Sequence, residues 1–133
     1  HSEYNASTTD PVWLLQIWIE PAARNLPPGY QQVGFAPDEL AGRLRLVASG
    51  DGRDGSVRIN QDADVYAARL DAGVQAALPA RSGPRRRWIQ VIEGTVRVRE
   101  RTLGPGDALG ILDGDALELE AVADAHLLAF DLP

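Results

Sequence analysis

An all-β fold is predicted by three features of this sequence. Short apolar or alternating runs recur along the chain, as half-buried strands require. Glycine and proline, 13 and 9 of the 133 residues, separate those runs at turn-like spacing. Only one short stretch, APDELAG, has helical character, with Asp38 placed to cap it.

The elements follow in order. VWLLQIWI, Val12 to Ile19, is apolar on both parities except at Gln16, which predicts a strand covered on both faces. PAARNLPPGY must then be a loop or linker. RLRLVAS alternates, so Leu44, Leu46 and Ala48 are expected on one face and Arg43 and Arg45 on the other. GDGRDG is a turn cluster; its Asp51 to Gly55 faintly resembles a calcium loop, but Arg53 stands at the third position and no glutamate closes it. SVRIN and DVYAARL are short strands. WIQVIEGTVRVRE reads as a hairpin turning at Glu93-Gly94, with Val96 and Val98 inside and Arg97 outside. LGPGD turns into ALGIL, and ALELEAV and HLLAFDL close the series. About eight strands of this kind suggest a barrel or jelly roll. The expected core comprises Leu44, Leu46, Val57, Ile59, Ile89, Val91, Val96, Val98, Leu117, Leu119, Leu128 and Phe130, with Arg43, Arg97 and Glu118 in water. A composition shift divides the chain into residues 1–36 and a complete set of strands in 37–133.

Charge and composition exclude several classes. Cysteine and methionine are absent, the net charge is -6, and every one of the 13 basic residues is arginine. Disulfides and thiolate metal sites are impossible. An acidic chain lacks the basic face that nucleic-acid binding uses. No apolar run approaches the roughly 20 residues of a membrane span, and no signal-peptide pattern opens the chain, so a cytoplasmic protein without membrane contact is expected. A first residue of histidine, with no methionine anywhere, reads as a piece of something longer.

HSEYN, LLQIWIEP, the Tyr30-x-Gln32 pair, GRLRLVAS, DGRDGSVRINQDADVY, RRRWIQVIEGTVRV, GDALGI and LLAFDL together resemble the pirin family, and most closely its bacterial quercetinase-like members. The resemblance covers nearly the whole chain in order. It implies a cupin, a jelly-roll or RmlC-like β-barrel. Residues 1–36 would be a remnant of an N-terminal cupin and 37–133 the C-terminal cupin of a two-cupin protein. It further implies iron, or another divalent metal, held in the N-terminal cupin of the parent by three histidines and a glutamate. His1 and Glu3 match two of these; the other two come from an H-x-H motif that this chain lacks. The half-site agrees with strand chemistry, since residues i and i+2 share a face and histidine with carboxylate suits non-haem iron. Two ligands near a chain start bind weakly and fray.

The parent is then expected to be a quercetin 2,3-dioxygenase-type oxidoreductase acting on a flavonol-like molecule, with the 133-residue piece inactive by itself. Two alternatives stand beside it: a metal-sensing interaction protein or transcription coregulator, and a second cupin that only walls the active site of the first. No metal is expected in the C-terminal cupin. ARSGPRRRW, which precedes the VIEG segment, offers Arg81, Arg85, Arg86 and Arg87 but no histidine, and Arg87 stands about where a ligating glutamate would be. Arg85 and Arg87 are candidates to clamp an anion, against the commoner reading of such a run as a solvated loop. His126 is expected to be a strand-edge or core residue. Asn5 forms a glycosylation sequon by pattern alone. Residues 12–19, apolar and without a parent sheet, are expected either to bind another copy or to fold back over the barrel, with a homo-oligomer favoured.

Overall fold

In this computed structural model, which describes residues 2–133, eight strands form one sheet that closes around a core. They are β1 (Arg45–Ser49), β2 (Val57–Arg58), β3 (Asp64–Leu70), β4 (Gln75–Leu78), β5 (Arg86–Val98), β6 (Arg101–Leu103), β7 (Ala108–Ile111) and β8 (Leu117–Leu132). The strand order is β2-β1-β3-β8-β5-β6, with β4 added to β8 and β7 to β5. β5 and β8 form an antiparallel spine. β8 pairs with β5 along most of its length, and on its other edge with β4 through Leu117 to Glu120 and with β3 through Ala125 to Asp131.

The spine corrects two expectations. Glu93-Gly94 does not turn a hairpin: β5 continues through it, and the register against β8 shifts between Val91 and Val96. ALELEAV and HLLAFDL are likewise one strand. The break in hydrophobic alternation marks a bulge, which bends a strand without ending it. Gly94 makes the bend possible. Its φ is 77°, and a Cβ built there would lie 1.9 Å from the Asp124 carbonyl oxygen. The real β5–β6 turn is Arg99-Glu100, with Arg99 at φ 53°.

Alternation sorts side chains into two layers. Inside the barrel lie Ala68, Leu70, Leu78, Ile89, Val91, Val96, Val98, Leu117, Leu119, Ala121, Leu127 and Ala129 among others. On the outer face of β3, β8 and β5 a second cluster gathers Val65, Ala67, Leu128 and Phe130 under Ile19, Leu40 and Ile92. Leu128 and Phe130 are therefore buried, as expected, but on the opposite face from Ile89 and Val91. At this end of β8 the interior positions are Leu127 and Ala129. Leu46 is buried, while Leu44, Val57 and Ile59 are only half-buried, and Ile59 lies beyond β2. The alternation of β1 also breaks. A register shift between Leu46 and Ala48 turns Ala48 outward, beside Val65.

The only α-helix among the described residues is α1 (Pro37–Leu40). Asp38 lies within it. The start is closed instead by Glu39, whose Oε2 accepts the Ala36 backbone N–H at 2.8 Å. DGRDG is a turn, as expected, with a single 3-10 turn at Arg53–Gly55. Residues 12–19 belong to no strand, contrary to expectation. A strand needs a neighbouring edge, and among the described residues no backbone–backbone hydrogen bond ties residues 12–19 to one.

Leu46 and Arg97 test this inside–outside phase. Leu46→Ala should cost about 2–5 kcal/mol, the usual loss for a buried leucine. Arg97 is exposed and pairs only with Glu120, at 3.1 Å, so Arg97→Ala should cost no more than about 0.5 kcal/mol. Urea unfolding of both variants checks the assignment, and a larger loss for Arg97→Ala would refute it.

Candidate functional site

The register of the sheet places charged residues in one interior row. Ser49 of β1 lies opposite Asp64 of β3, Asp64 opposite Asp131 of β8, and Asp131 opposite Arg87 of β5. Directly opposed residues share a face. Two carboxylates are thus set side by side at one end of the barrel, each only 2% exposed. Buried like charges are tolerable only with cations between them.

The arginines of the β4–β5 segment supply those cations. Arg85 Nε donates to Asp131 Oδ1 at 2.6 Å, and its Nη1 to Asp62 Oδ2 at 2.7 Å. Arg81 Nη1 donates to Asp64 at 3.0 Å and lies 3.6 Å from Asp131, bridging the two carboxylates. Arg53 reaches Asp64 from the 3-10 turn and also holds Asp51. Arg87, 1% exposed, lies 3.3 Å from Asp131 and donates to the carbonyl oxygens of Pro79 at 2.6 Å and Gly114 at 3.1 Å. Four arginines therefore meet four aspartates, Asp51, Asp62, Asp64 and Asp131. Among the described residues, Arg87 Nε is the buried side-chain polar atom without a partner.

The titration behaviour follows from the contacts. Burial works against the charge on Arg85, but Asp131 and then Asp62 outweigh it and hold its pKa above the ordinary arginine value. Asp62 is also opposed by burial, and the Arg85 hydrogen bond and charge still keep it below the usual carboxylate range. Asp51, hydrogen-bonded by Arg53, is lowered to about 2. The Tyr66 phenol, which donates to Asp64, is pushed up by burial and then by the Asp64 charge.

This arrangement bears on each candidate residue. Arg85 and Arg87, expected as candidates to hold an anionic ligand, are paired with the chain's own Asp131. The donor set does not suit a metal ion: guanidinium groups carry charge of the wrong sign and offer no lone pair. Glu3 and Tyr4 are exposed near the chain start, and His1 lies outside the described residues. Among the described residues, no group of three or more His, Cys, Asp or Glu is arranged to hold a metal. His126 sits half-buried in β8, its ring centroid 6.5 Å from that of Trp13, and burial followed by Arg69 lowers its pKa.

Sequence reasoning found the arginines and missed their partners. Asp131 carried a signal, since it continues the inward parity of Leu127 and Ala129 inside an apolar run. A groove on the outer face was also missed. It measures about 780 Å³ and is lined by Trp13, Leu15, Trp18, Trp88, Leu128 and Phe130 among others.

Comparison with known proteins places this barrel. The family pattern for the quercetinase C-terminal cupin domain matches residues 46–132. The chain belongs to the pirin family. Its sheet is the C-terminal barrel of pirin proteins, and the cupin architecture expected from the sequence is the one observed. The chain is 39% identical over 133 residues to a quercetin 2,3-dioxygenase of Escherichia coli strain K12, covering 100% of this chain and 56% of that protein. A putative quercetin 2,3-dioxygenase of Pasteurella multocida is 34% identical, at 99% and 56% coverage. Among solved structures, that of YhhW from Escherichia coli superposes with a TM-score of 0.80 at 34% identity, covering 87% of this chain and 48% of that one. The structure of bacterial pirin YhhW with nickel(II) gives 0.77 at 35% identity, covering 85% and 47%. The chain spans about half the length of the curated relatives it matches. No helix among the described residues is long and apolar enough to cross a membrane.

Proposed function

We propose that this chain serves as the C-terminal barrel of a pirin-like protein whose activity is a metal-dependent oxidation of flavonols, of the quercetin 2,3-dioxygenase type. What carries the reading is the 39% identity, across the whole chain, to a protein of that name. In the parent, His1 and Glu3 would be two of four ligands to a divalent metal, iron by preference, completed by an H-x-H pair from another part of the molecule. Such a metal supplies polarisation of the bound flavonol and access to oxygen.

The barrel contributes a rigid wall to this activity. Its charged end is neutralised internally, so it offers neither a general base nor a ligand set of its own. Arg81, Arg85 and Arg87 hold the ends of β3, β5 and β8 in register instead. The 133-residue chain is therefore inactive alone, and its interior takes up no transition metal.

Oxygen uptake with quercetin tests this. The iron-loaded parent should consume oxygen, and His1→Ala or Glu3→Gln in it should lower both metal content and turnover at least 100-fold. The 133-residue chain should show neither uptake nor stoichiometric metal by elemental analysis. Iron or zinc held one-to-one by residues 37–133, or full activity after His1→Ala, would overturn the reading.

A further inference from the structure

Composition divides the chain after residue 36, but the contacts do not follow that division. Residues 20–42 are fastened to the sheet at both ends and between them. Gln61 Nε2 donates to the Glu20 carbonyl at 2.9 Å, and the Ala22 N–H to the Asn60 carbonyl at 2.8 Å. Gln31 Oε1 accepts the Arg58 N–H at 2.8 Å. The Arg45 guanidinium of β1 lies over the Phe35 ring, 5.3 Å from its centroid, and its Nε is 3.5 Å from the Glu39 carboxylate. Leu40 packs against the outer cluster of Val65, Ala67, Leu128 and Phe130. Ala41 then bridges to Arg69 of β3, whose carbonyl accepts the Gly42 N–H at 2.8 Å. The widest gap between these contacts, from Ala22 to Gln31, contains Pro27 and Pro28, whose rings restrict the backbone there.

Every partner in this series belongs to β1, β2, β3 or the connection between β2 and β3. β2 has two residues and is the outermost strand on its side of the sheet. Such a strand presents main-chain groups on which another chain can pair. Here the Arg58 N–H is met by a side chain in place of a strand, so Gln31 satisfies the edge without extending the sheet. One hydrogen bond at the surface holds little, because water competes for both partners. Several along one segment hold more, since each closed contact keeps the next within reach.

We propose that residues 20–42 are a strap belonging to the C-terminal barrel, that Gln31 caps the β2 edge, and that the structural boundary lies at Glu20 and not after residue 36. The proposal does not depend on the activity proposed above. Amide hydrogen exchange of the full-length parent tests it. Segments 20–24 and 57–62 should exchange more slowly than an unstructured chain. In the double variant Gln31→Ala/Gln61→Ala their exchange should quicken at least 10-fold, while β5 and β8 keep their protection. Gln31→Glu retains an acceptor oxygen and should leave the Arg58 amide protected. Unprotected exchange of these segments in the parent, or protection unmoved by the double variant, would overturn the proposal. So would equal loss at Arg58 in Gln31→Glu and Gln31→Ala, or loosening that spreads through β5 and β8.

Discussion

Replacing Asp131 by alanine is expected to be among the most damaging single changes in this barrel. Asp131 accepts from Arg85 and neutralises Arg87, and all three side chains are nearly excluded from water. Removing the carboxylate leaves two buried guanidinium groups with only carbonyl oxygens and Asp62 to face. Breaking a buried pair in this way costs about 3–5 kcal/mol, because the orphaned charge stays desolvated. Denaturant unfolding should record a loss of that size. A loss below about 1 kcal/mol would mean that water reaches the cluster freely and that its contacts contribute little.

The second large effect is expected at Gly94. An alanine there must hold a left-handed φ of 77° and place its methyl group 1.9 Å from the Asp124 carbonyl oxygen. The conformational strain alone is about 1–2 kcal/mol. The overlap with main chain cannot be relieved by rotating a side chain, so β5 and β8 must separate at the bend, and the total should exceed about 3 kcal/mol. Gly73 supplies the comparison. Its φ is 84°, yet nothing lies within 4 Å of the Cβ position, so Gly73→Ala should show the strain without the clash. Thermal melts of the two variants isolate the steric part. Equal losses would show that the bend relaxes and that close approach is not what Gly94 is for.

The inward phases of β5 and the start of β8 were legible because alternation reports which face a residue occupies. Ile89, Val91, Val96, Val98, Leu117 and Leu119 all lie where it put them. What alternation cannot report is which of two covered faces an apolar residue serves. Leu127 to Phe130 is apolar on both parities, and the outer layer under Ile19 and Leu40 claims half of it. The bulge at Gly94 looked like a turn for a related reason: glycine at positive φ is common to both, and only the long pairing of β5 with β8 separates them. Residues 12–19 read as a strand because their composition suits one. A strand is a relation between two segments, however, and its other member cannot be read from eight residues. At the charged end, the arginine run was visible as a possible anion clamp. Its anion was not, because Asp131 comes from a segment 46 residues further along the chain than Arg85.

The placement of β8 has a consequence for how the molecule is made. This strand borders β3, β4 and β5 at once, yet it lies last among the eight in the order of synthesis. Until its residues have left the ribosome, β3 and β4 have no neighbour on the edges that β8 will fill, and the apolar side chains of β5 have no opposing wall. Pairings this distant in sequence close slowly, since loop entropy is lost before contacts repay it. At translation rates of about 5–20 residues per second, the strands that precede β8 wait on the order of seconds with those edges open. Closure of the barrel therefore waits on β8, which slots between its three neighbours.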